Sequence, residues 1–407
     1  HNHLMSECNF CEPNNRYITD TAKIVSKLAM SKDWRFSKGH LMGVRYINGS
    51  YFFSQNLTTD DEDEVVFFDK GSKILRINNI DIDSYVIGVG ENKGSPLRWD
   101  ATRKKIYTPA IYIDTEDKIT TVTVEMSNGE IKDIDIISGK TYLYYRGRMN
   151  TDSEEPKVLY FQRSNILYVR IPDMNTELIP FYNEKISSFR NQKINKVVVD
   201  IRGNGGGNDD VWRNVLSAII DKSLIWGTKI LFKKTPVVIS YLREIRRDSL
   251  PLINNDNLII NRDTFFYKYN DDLDTIIPAQ NTISYSDNIY VIVDERCYSS
   301  AKAFTSVCDK IDRLVSIGQP TGNIGGEGLN PFIFSLPFSK LIFRMGSVIE
   351  GVYSDSDNIE DYYHDTLEIP IELTVEKVIF RENWTKQLYN EEYLFQHDDA
   401  FKKILEL

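Results

Sequence analysis

Hydrophobic and polar positions along this chain follow three patterns in turn. Between residues 13 and 35, Ala22, Ile24, Val25, Leu28 and Ala29 recur at helical spacing after the Asn14-Asn15 turn signal, which predicts a helical lead-in. Next come Val44 and Tyr46, then Tyr51, Phe52 and Phe53, on either side of Asn48-Gly49, the signature of a tight hairpin. From Val65 to about Ile137 the apolar stretches are short and strand-like, as in Lys73 to Ile82 and Thr120 to Met126, and predict a small β-rich domain. Beyond a polar, tyrosine-rich linker at 138–158 the pattern changes to near-continuous apolar runs. Asn165 to Pro172, Lys196 to Asp200 and Ile289 to Asp294 alternate with helical stretches. Such runs predict an α/β domain whose strands are covered on both faces. Residues from about 222 to 285 have mixed charge and no clear period, and read as an insertion between the two later strands.

The ends of those two strands carry the chemistry. The first runs into Ile201-Arg202-Gly203-Asn204-Gly205-Gly206-Gly207, a turn whose glycines leave backbone N–H groups free to face an anion. About ninety residues on, the second runs into Glu295-Arg296-Cys297-Tyr298-Ser299-Ser300-Ala301-Lys302, where small hydroxyl residues open a helix. A serine at a strand-to-helix corner is a candidate nucleophile, and the glycine turn a candidate oxyanion hole. The same serines could simply cap the helix. The glycine turn has neither the G-x-G-x-x-G spacing nor the Lys-Ser/Thr of a phosphate-binding loop, which argues against a nucleotide site.

Composition narrows the field. A chain of 407 residues exceeds one ordinary core and implies several domains. A net charge of −10, with 49 basic against 59 acidic residues and no basic run, argues against nucleic acid as a partner. No stretch approaches the roughly 18 apolar residues of a membrane span. Cys8 and Cys11 have metal-type spacing but no second pair, so two free thiols or a local disulfide is the simpler reading and no metal or cofactor is expected. The acidic run Asp60 to Glu64 reads as a solvated connection. The first residues, with His1 and His3, lack a charged-then-apolar signal pattern and read as the remnant of a trimmed export signal or a tag.

Taken together, these motifs resemble the C-terminal-processing and tricorn-type serine peptidases, whose core reads D-L-R-G-N-x-G-G, then S-A-x-E, then G-x-x-T-x-G. Here the three are Asp200 to Gly207, Ser299 to Lys302, and Gly318-Gln319-Pro320-Thr321-Gly322. Phe68 to Ile80 is similar to the G-D-x-I-x-x-I-N-G segment of the PDZ-like module of these enzymes. Gly39-His40-Leu41-Met42-Gly43-Val44 is similar to the D-G-H-T-x-V segment of the tricorn-type branch, and Leu367 to Leu373 to the family's P-D-I-x-V ending. The resemblance implies a multi-domain α/β protein in three parts: an N-terminal helical and hairpin region at 1–58, a PDZ-like module at 59–140, and a catalytic domain at 141–407 of the spiral type shared by ClpP and crotonases. It implies Ser299 as nucleophile, His40 as general base, and an oxyanion hole formed by amides of Gly206 or Gly207 and of Ser300. Glu350 and Asp365 are the candidates for an acid orienting His40. Peptide or unfolded protein would be the substrate, and the site would be extracytoplasmic, periplasmic or lipid-anchored at the cell envelope.

Two departures stand out. Ser–Lys members of the family have a lysine 25 positions after the serine, where this chain has Ile324, and Lys302 replaces the glutamate of S-A-x-E. They leave a catalytically inactive peptide-binding relative as the alternative. An acyl-CoA enzyme of the crotonase type would use the same paired amides but would not require Ser299.

Overall fold

The computed structural model describes residues 40–54, 57–59, 69–93, 98–100, 103–108, 110–113, 121–135, 142–144, 155–233, 258–261, 264–269, 273–308, 311, 313–321, 332–335, 342–345, 349–352, 367–382, 384 and 387–407. The helical lead-in at 13–35, the acidic run 60–64, Cys8, Cys11 and Asp365 lie outside the described residues. The chain divides into two compact units, one taking 28–153 with 372–390, the other 154–371 with 391–407. Both are discontinuous in sequence.

The first unit is built on a twisted antiparallel sheet. Strands β1 (His40–Ile47) and β2 (Ser50–Phe53) form the hairpin expected at Asn48-Gly49, with Ile47 opposite Ser50. Both turn residues have positive φ, 48° and 90°, the two-residue turn that matches strand twist. β3 (Lys73–Ile77) pairs with β2, and the short β4 (Ile80–Asp81) folds back on it. The apolar run of the sequence then stops being a strand. Asp81 Oδ1 accepts from the N–H groups of Asp83 and Ser84 at 3.0 and 3.4 Å, capping helix α1 (Ile82–Lys93). Strands β5 (Ala110–Ile113), β6 (Thr121–Glu125) and β7 (Ile131–Asp135) complete the sheet. Val44, Tyr51, Phe53, Ile74, Ile77, Val122 and Val124 form its core, with Val86 of α1 packed on it. In the expected linker, Tyr142–Tyr144 pairs instead with Leu57–Thr59. The helix Val375–Glu382 returns to this unit and packs against the turn at Gly71.

The second unit is the predicted α/β layer. Strand β8 (Lys157–Phe161) pairs antiparallel with β9 (Ile166–Arg170). β9 then runs parallel to β10 (Lys196–Asp200) after the crossover helix α2 (Ile179–Ser188). Helix α3 (Asp210–Ile219) follows the glycine turn, and β11 (Leu224–Lys233) lies in a separate sheet. β12 (Ile289–Val293) pairs with β10, helix α4 (Ser300–Cys308) follows, and β13 (Leu314–Gly318) pairs with β12. β14 (Ile349–Val352) pairs with β11, and β15 (Ile369–Pro370) closes the parallel sheet beside β13. Helices α5 (Glu391–Gln396) and α6 (Asp399–Glu406) end the chain.

Every residue of β9 and of β12 is buried, as expected of strands covered on both faces. On one face, the Trp212 ring of α3 stacks on Phe304 of α4, with centroids 5.4 Å apart and planes 6° from parallel. This pair holds together the two helices that leave the two motif-bearing strands. On the other, Phe161 and Tyr168 pack against Phe401 of α6. Truncating a fully buried aromatic side chain removes its transfer energy and leaves a cavity, about 3–5 kcal/mol in sum. Trp212→Ala should therefore lower the unfolding free energy of the α/β unit by that amount, read as a shift in the denaturant midpoint at unchanged slope.

Candidate active site

Strands β10 and β12 are parallel neighbours, so their C-terminal ends emerge side by side. That is the end of an open α/β sheet where ligands bind. The two loops leaving them are tied together. The N–H of Gly203 donates to Asp294 Oδ1 at 2.7 Å, the thiol of Cys297 to the Ile201 carbonyl at 3.1 Å, and the N–H of Tyr298 to the Asn204 carbonyl at 3.1 Å. Asp294 is itself buried, and its second oxygen takes Nε and Nη2 of Arg296 at 3.2 and 2.9 Å. Burial, and then the nearby Asp294 carboxylate, push the Cys297 thiol well above its ordinary pKa. It is therefore a structural donor and no nucleophile.

Below the glycine turn lies a buried ionic group. Asp200 ends β10 with no solvent exposure. Its carboxylate accepts from the Tyr168 hydroxyl at 2.8 Å and from Nε and Nη2 of Arg202 at 3.0 and 2.5 Å, with Arg170 Nη1 at 3.6 Å. Arg202 Nη1 also donates to Asp398 Oδ2 at 2.6 Å, while Asp398 Oδ1 caps α6 by accepting from Phe401 N–H at 2.9 Å. Burial alone would raise the Asp200 pKa. Arg202 and then Arg170 outweigh it, aided by hydrogen bonds from Arg202, and hold the carboxyl below its ordinary value.

The glycine turn and the serine corner meet at Gly206. At φ +102° it adopts a backbone that side chains rarely tolerate. A Cβ there would stand 2.6 Å from Ser299 Cβ, 2.7 Å from the Tyr298 oxygen and 3.1 Å from the Ser300 nitrogen. The next residue, Gly207, is held against Met174, whose carbonyl accepts from Asn208 N–H and whose N–H donates to the Gly206 carbonyl. Sequence reasoning proposed the amide of Gly206 or Gly207 as an oxyanion donor. In the structure the Gly206 N–H is engaged by Asn204 Oδ1 at 2.8 Å. Among the described residues nothing accepts from the Gly207 or the Ser300 N–H.

Ser299 sits at the N-cap of α4, since its carbonyl accepts the first intrahelical bond, from Ala303 N–H at 2.9 Å. Yet it does not cap. The Ala301 N–H goes to the Tyr298 carbonyl at 3.1 Å, and the Ser299 hydroxyl has no hydrogen bond among the described residues. Ser299 also has φ +54°. Serine reaches this left-handed conformation only at a cost of about 1–3 kcal/mol, sustained by the surrounding structure. The capping reading of this serine therefore finds no support in its geometry. Ser300, one position on, is buried with its hydroxyl unpartnered among the described residues.

The remaining candidates are placed as follows. His40 is the first residue of β1, opposite Ile113, in the other unit, and its side chain is outside the described residues. Glu350 lies in β14, a strand that runs against α4. Asn204, Asp294, Cys297 and Asp398 were not singled out from sequence. Only the aspartates carried a signal, Asp294 as an acid at a strand end and Asp398 as a cap ahead of an apolar helix.

Residues 165–343 match peptidase family S41. No curated protein matches the chain. Among solved structures, mature CPAF superimposes with a TM-score of 0.51 at 13% identity, covering 91% of this chain and 85% of its own. The photosystem II D1 C-terminal processing protease gives a TM-score of 0.37 at 12% identity over 93% and 83%, and the tricorn protease 0.32 at 15% over 88% and 28%. The likeness to CPAF is one of fold.

Two substitutions probe this arrangement. Gly206→Ala should disrupt the serine corner by forcing its new Cβ onto Ser299, lowering any Ser299-dependent rate by about 10²-fold or more, as expected for misplaced catalytic groups. Circular dichroism would show whether the fold is kept. For Asp200 the folded pKa lies below the unfolded value of 3.8. Its contribution is thus complete above about pH 5 and is lost as the pH falls through the folded value. Asp200→Asn should cost roughly 3–5 kcal/mol at pH 7 by leaving two arginines buried and under-paired. The variant should also show a shallower loss of stability between pH 5 and 2, measured by denaturation across that range.

Proposed function

We propose, from the match of residues 165–343 to peptidase family S41, a family of serine-type hydrolases, that the chain cleaves peptide bonds in unfolded or C-terminal protein segments through an acyl-enzyme on Ser299. The observation that carries this reading is the left-handed Ser299 at the head of α4, its hydroxyl uncommitted among the described residues and its Cβ packed on Gly206.

A serine hydroxyl attacks only when a base removes its proton, and imidazole, with a pKa of about 6.5, suits that task near neutral pH. By resemblance to the tricorn-type branch, His40 is that base, with Glu350 or Asp365 as its orienting acid. Ser299 Oγ adds to the scissile carbonyl carbon as His40 takes the hydroxyl proton. The carbonyl oxygen, now negative, accepts hydrogen bonds from the amide N–H groups of Gly207 and Ser300. Collapse breaks the C–N bond, with His40 returning its proton to the departing amine, and water then hydrolyses the ester by the same route. Gly206 contributes close approach, its own amide being taken by Asn204.

On this reading residues 59–140 form a PDZ-like module, which binds a peptide as an added strand. The catalytic domain is of the ClpP and crotonase spiral type. No described helix is long and apolar enough to cross a membrane, and by family resemblance the protein works outside the cytoplasm, in the periplasm or anchored by lipid to the envelope.

Wild type, Ser299→Ala and His40→Ala should be incubated with a peptide library and an unfolded protein, and the products read by mass spectrometry. Cleavage by wild type should fall by several orders of magnitude, up to about 10⁶, in both variants. Loss in Ser299→Ala alone removes His40 from the mechanism. No cleavage by wild type makes the chain a peptide-binding relative.

A further inference from the structure

Each polar atom of Asn204 is bonded to backbone, and the residue has no solvent exposure. Its N–H donates to the Ile201 carbonyl at 3.1 Å, and its carbonyl accepts from the Tyr298 N–H at 3.1 Å. In the side chain, Nδ2 donates to the Ile171 carbonyl at 3.0 Å and Oδ1 accepts from the Gly206 N–H at 2.8 Å. Asparagine carries a donor and an acceptor on separate atoms of one short planar group, which neither aspartate nor serine does at neutral pH.

These bonds fix the direction of a group that Asn204 does not touch. The Gly207 N–H shares a peptide plane with the Gly206 carbonyl, which accepts from the Met174 N–H at 3.3 Å. In a trans peptide the N–H and the C=O point opposite ways. The Gly207 N–H therefore faces away from Met174, on a residue that is itself exposed. The peptide plane before it is the one that Oδ1 of Asn204 holds. Between the two planes stands Gly206 at φ +102°, a residue whose backbone would otherwise sample many conformations. Ile171 and Met174 belong to one segment after β9, so the Asn204 side chain ties that segment and the glycine turn to each other.

We propose that Asn204 is a positioning residue for the oxyanion hole: its side-chain amide holds the Gly205–Gly206 peptide so that the Gly207 N–H is aimed at the substrate oxygen. Its main-chain carbonyl holds Tyr298, the residue before the serine. This deepens, and rests on, the reading of Ser299 as nucleophile and Gly207 as donor. Asn204 itself touches neither the substrate nor the reacting oxygen. A donor already aimed needs no reorganisation as charge develops, which is where such a residue acts on the rate. The same bond withdraws the Gly206 N–H, leaving Gly207 and Ser300 as the pair that meets the oxyanion.

The test uses the full chain with Asn204→Ala, Asn204→Ser and Asn204→Asp. It measures labelling of Ser299 by a fluorophosphonate, kcat and KM on an unfolded protein, inhibition by a peptide aldehyde whose hemiacetal oxygen would occupy the hole, and the thermal midpoint. Expected for the Ala and Ser variants are kcat and aldehyde affinity lowered together by about 10–100-fold, with KM within about threefold of wild type. Asn204→Asp separates positioning from mere support. Ionised, its carboxylate accepts from Gly206 but has no proton for the Ile171 carbonyl; protonated, it offers the donor and acceptor of asparagine. Burial raises a carboxyl pKa, so its kcat relative to wild type should rise at least about tenfold from about pH 8 to about pH 5. The ratio cancels the titration of the general base and of charged groups on the joined loops, such as Asp173, Asp200, Arg202, Asp294 and Arg296, which both proteins share. The proposal is overturned if folded Ala or Ser variants keep the wild-type kcat, if KM carries the loss, or if the Asn204→Asp ratio is flat with pH. It is equally overturned if every variant is unfolded across that range, which would make Asn204 a structural residue. Wild type that neither labels nor cleaves, like Ser299→Ala, removes the serine-peptidase reading and this proposal with it.

Discussion

The site depends first on one buried carboxylate. Asp200 sits at the end of β10 with no access to water, a position tolerable for a charge only if its partners are complete. Arg170 comes from the neighbouring strand, Arg202 from the glycine turn, and Asp398 from the cap of the last helix. Two acids and two bases balance, so the group is neutral as a whole. Taking any member away strands the others. The turn after Asp200 therefore has one place to go, and the glycines that follow start from a fixed point.

A second layer of bonds converts that fixed start into a fixed site. Asp294 and Cys297 of the second loop bind Gly203 and Ile201 of the first, and Asn204 returns its carbonyl to Tyr298. Asn204 is also used twice by its side chain, with Nδ2 donating to the Ile171 carbonyl and Oδ1 holding the Gly206 amide. These cross-links confine the backbone on both sides of Ser299. They are the over-determination that an L-residue at φ +54° requires.

The strands, the glycine turn and the serine corner were legible in the sequence because burial and backbone freedom leave direct marks on composition. Unbroken apolar runs gave β9, β10 and β12, and Asn48-Gly49 gave the first hairpin. The partners of polar groups were not legible. Arg202 and Asp398 lie 196 positions apart, and nothing in either segment names the other. Helix α1 was hidden for a local reason: Ile80 and Ile82 continue the apolar alternation of β3, while the Asp81 side chain turns the backbone into a helix. The engagement of the Gly206 amide was equally invisible, since it depends on where Asn204 points.

The head of α4 shows what such rigidity makes available. A helix begins with N–H groups lacking internal partners, and a serine at its N-cap would normally satisfy one of them. Here the cap is rotated into a left-handed backbone and its hydroxyl withheld, the Tyr298 carbonyl taking over part of the task. What is left is an uncommitted hydroxyl, an amide at Ser300 that nothing described accepts from, and the positive end of a dipole, all beside the close backbone of Gly206. Each is unfavourable for the helix alone. Together they are the features on which the proposed acyl-enzyme chemistry draws: an oxygen left uncommitted beside donors suited to a developing negative charge.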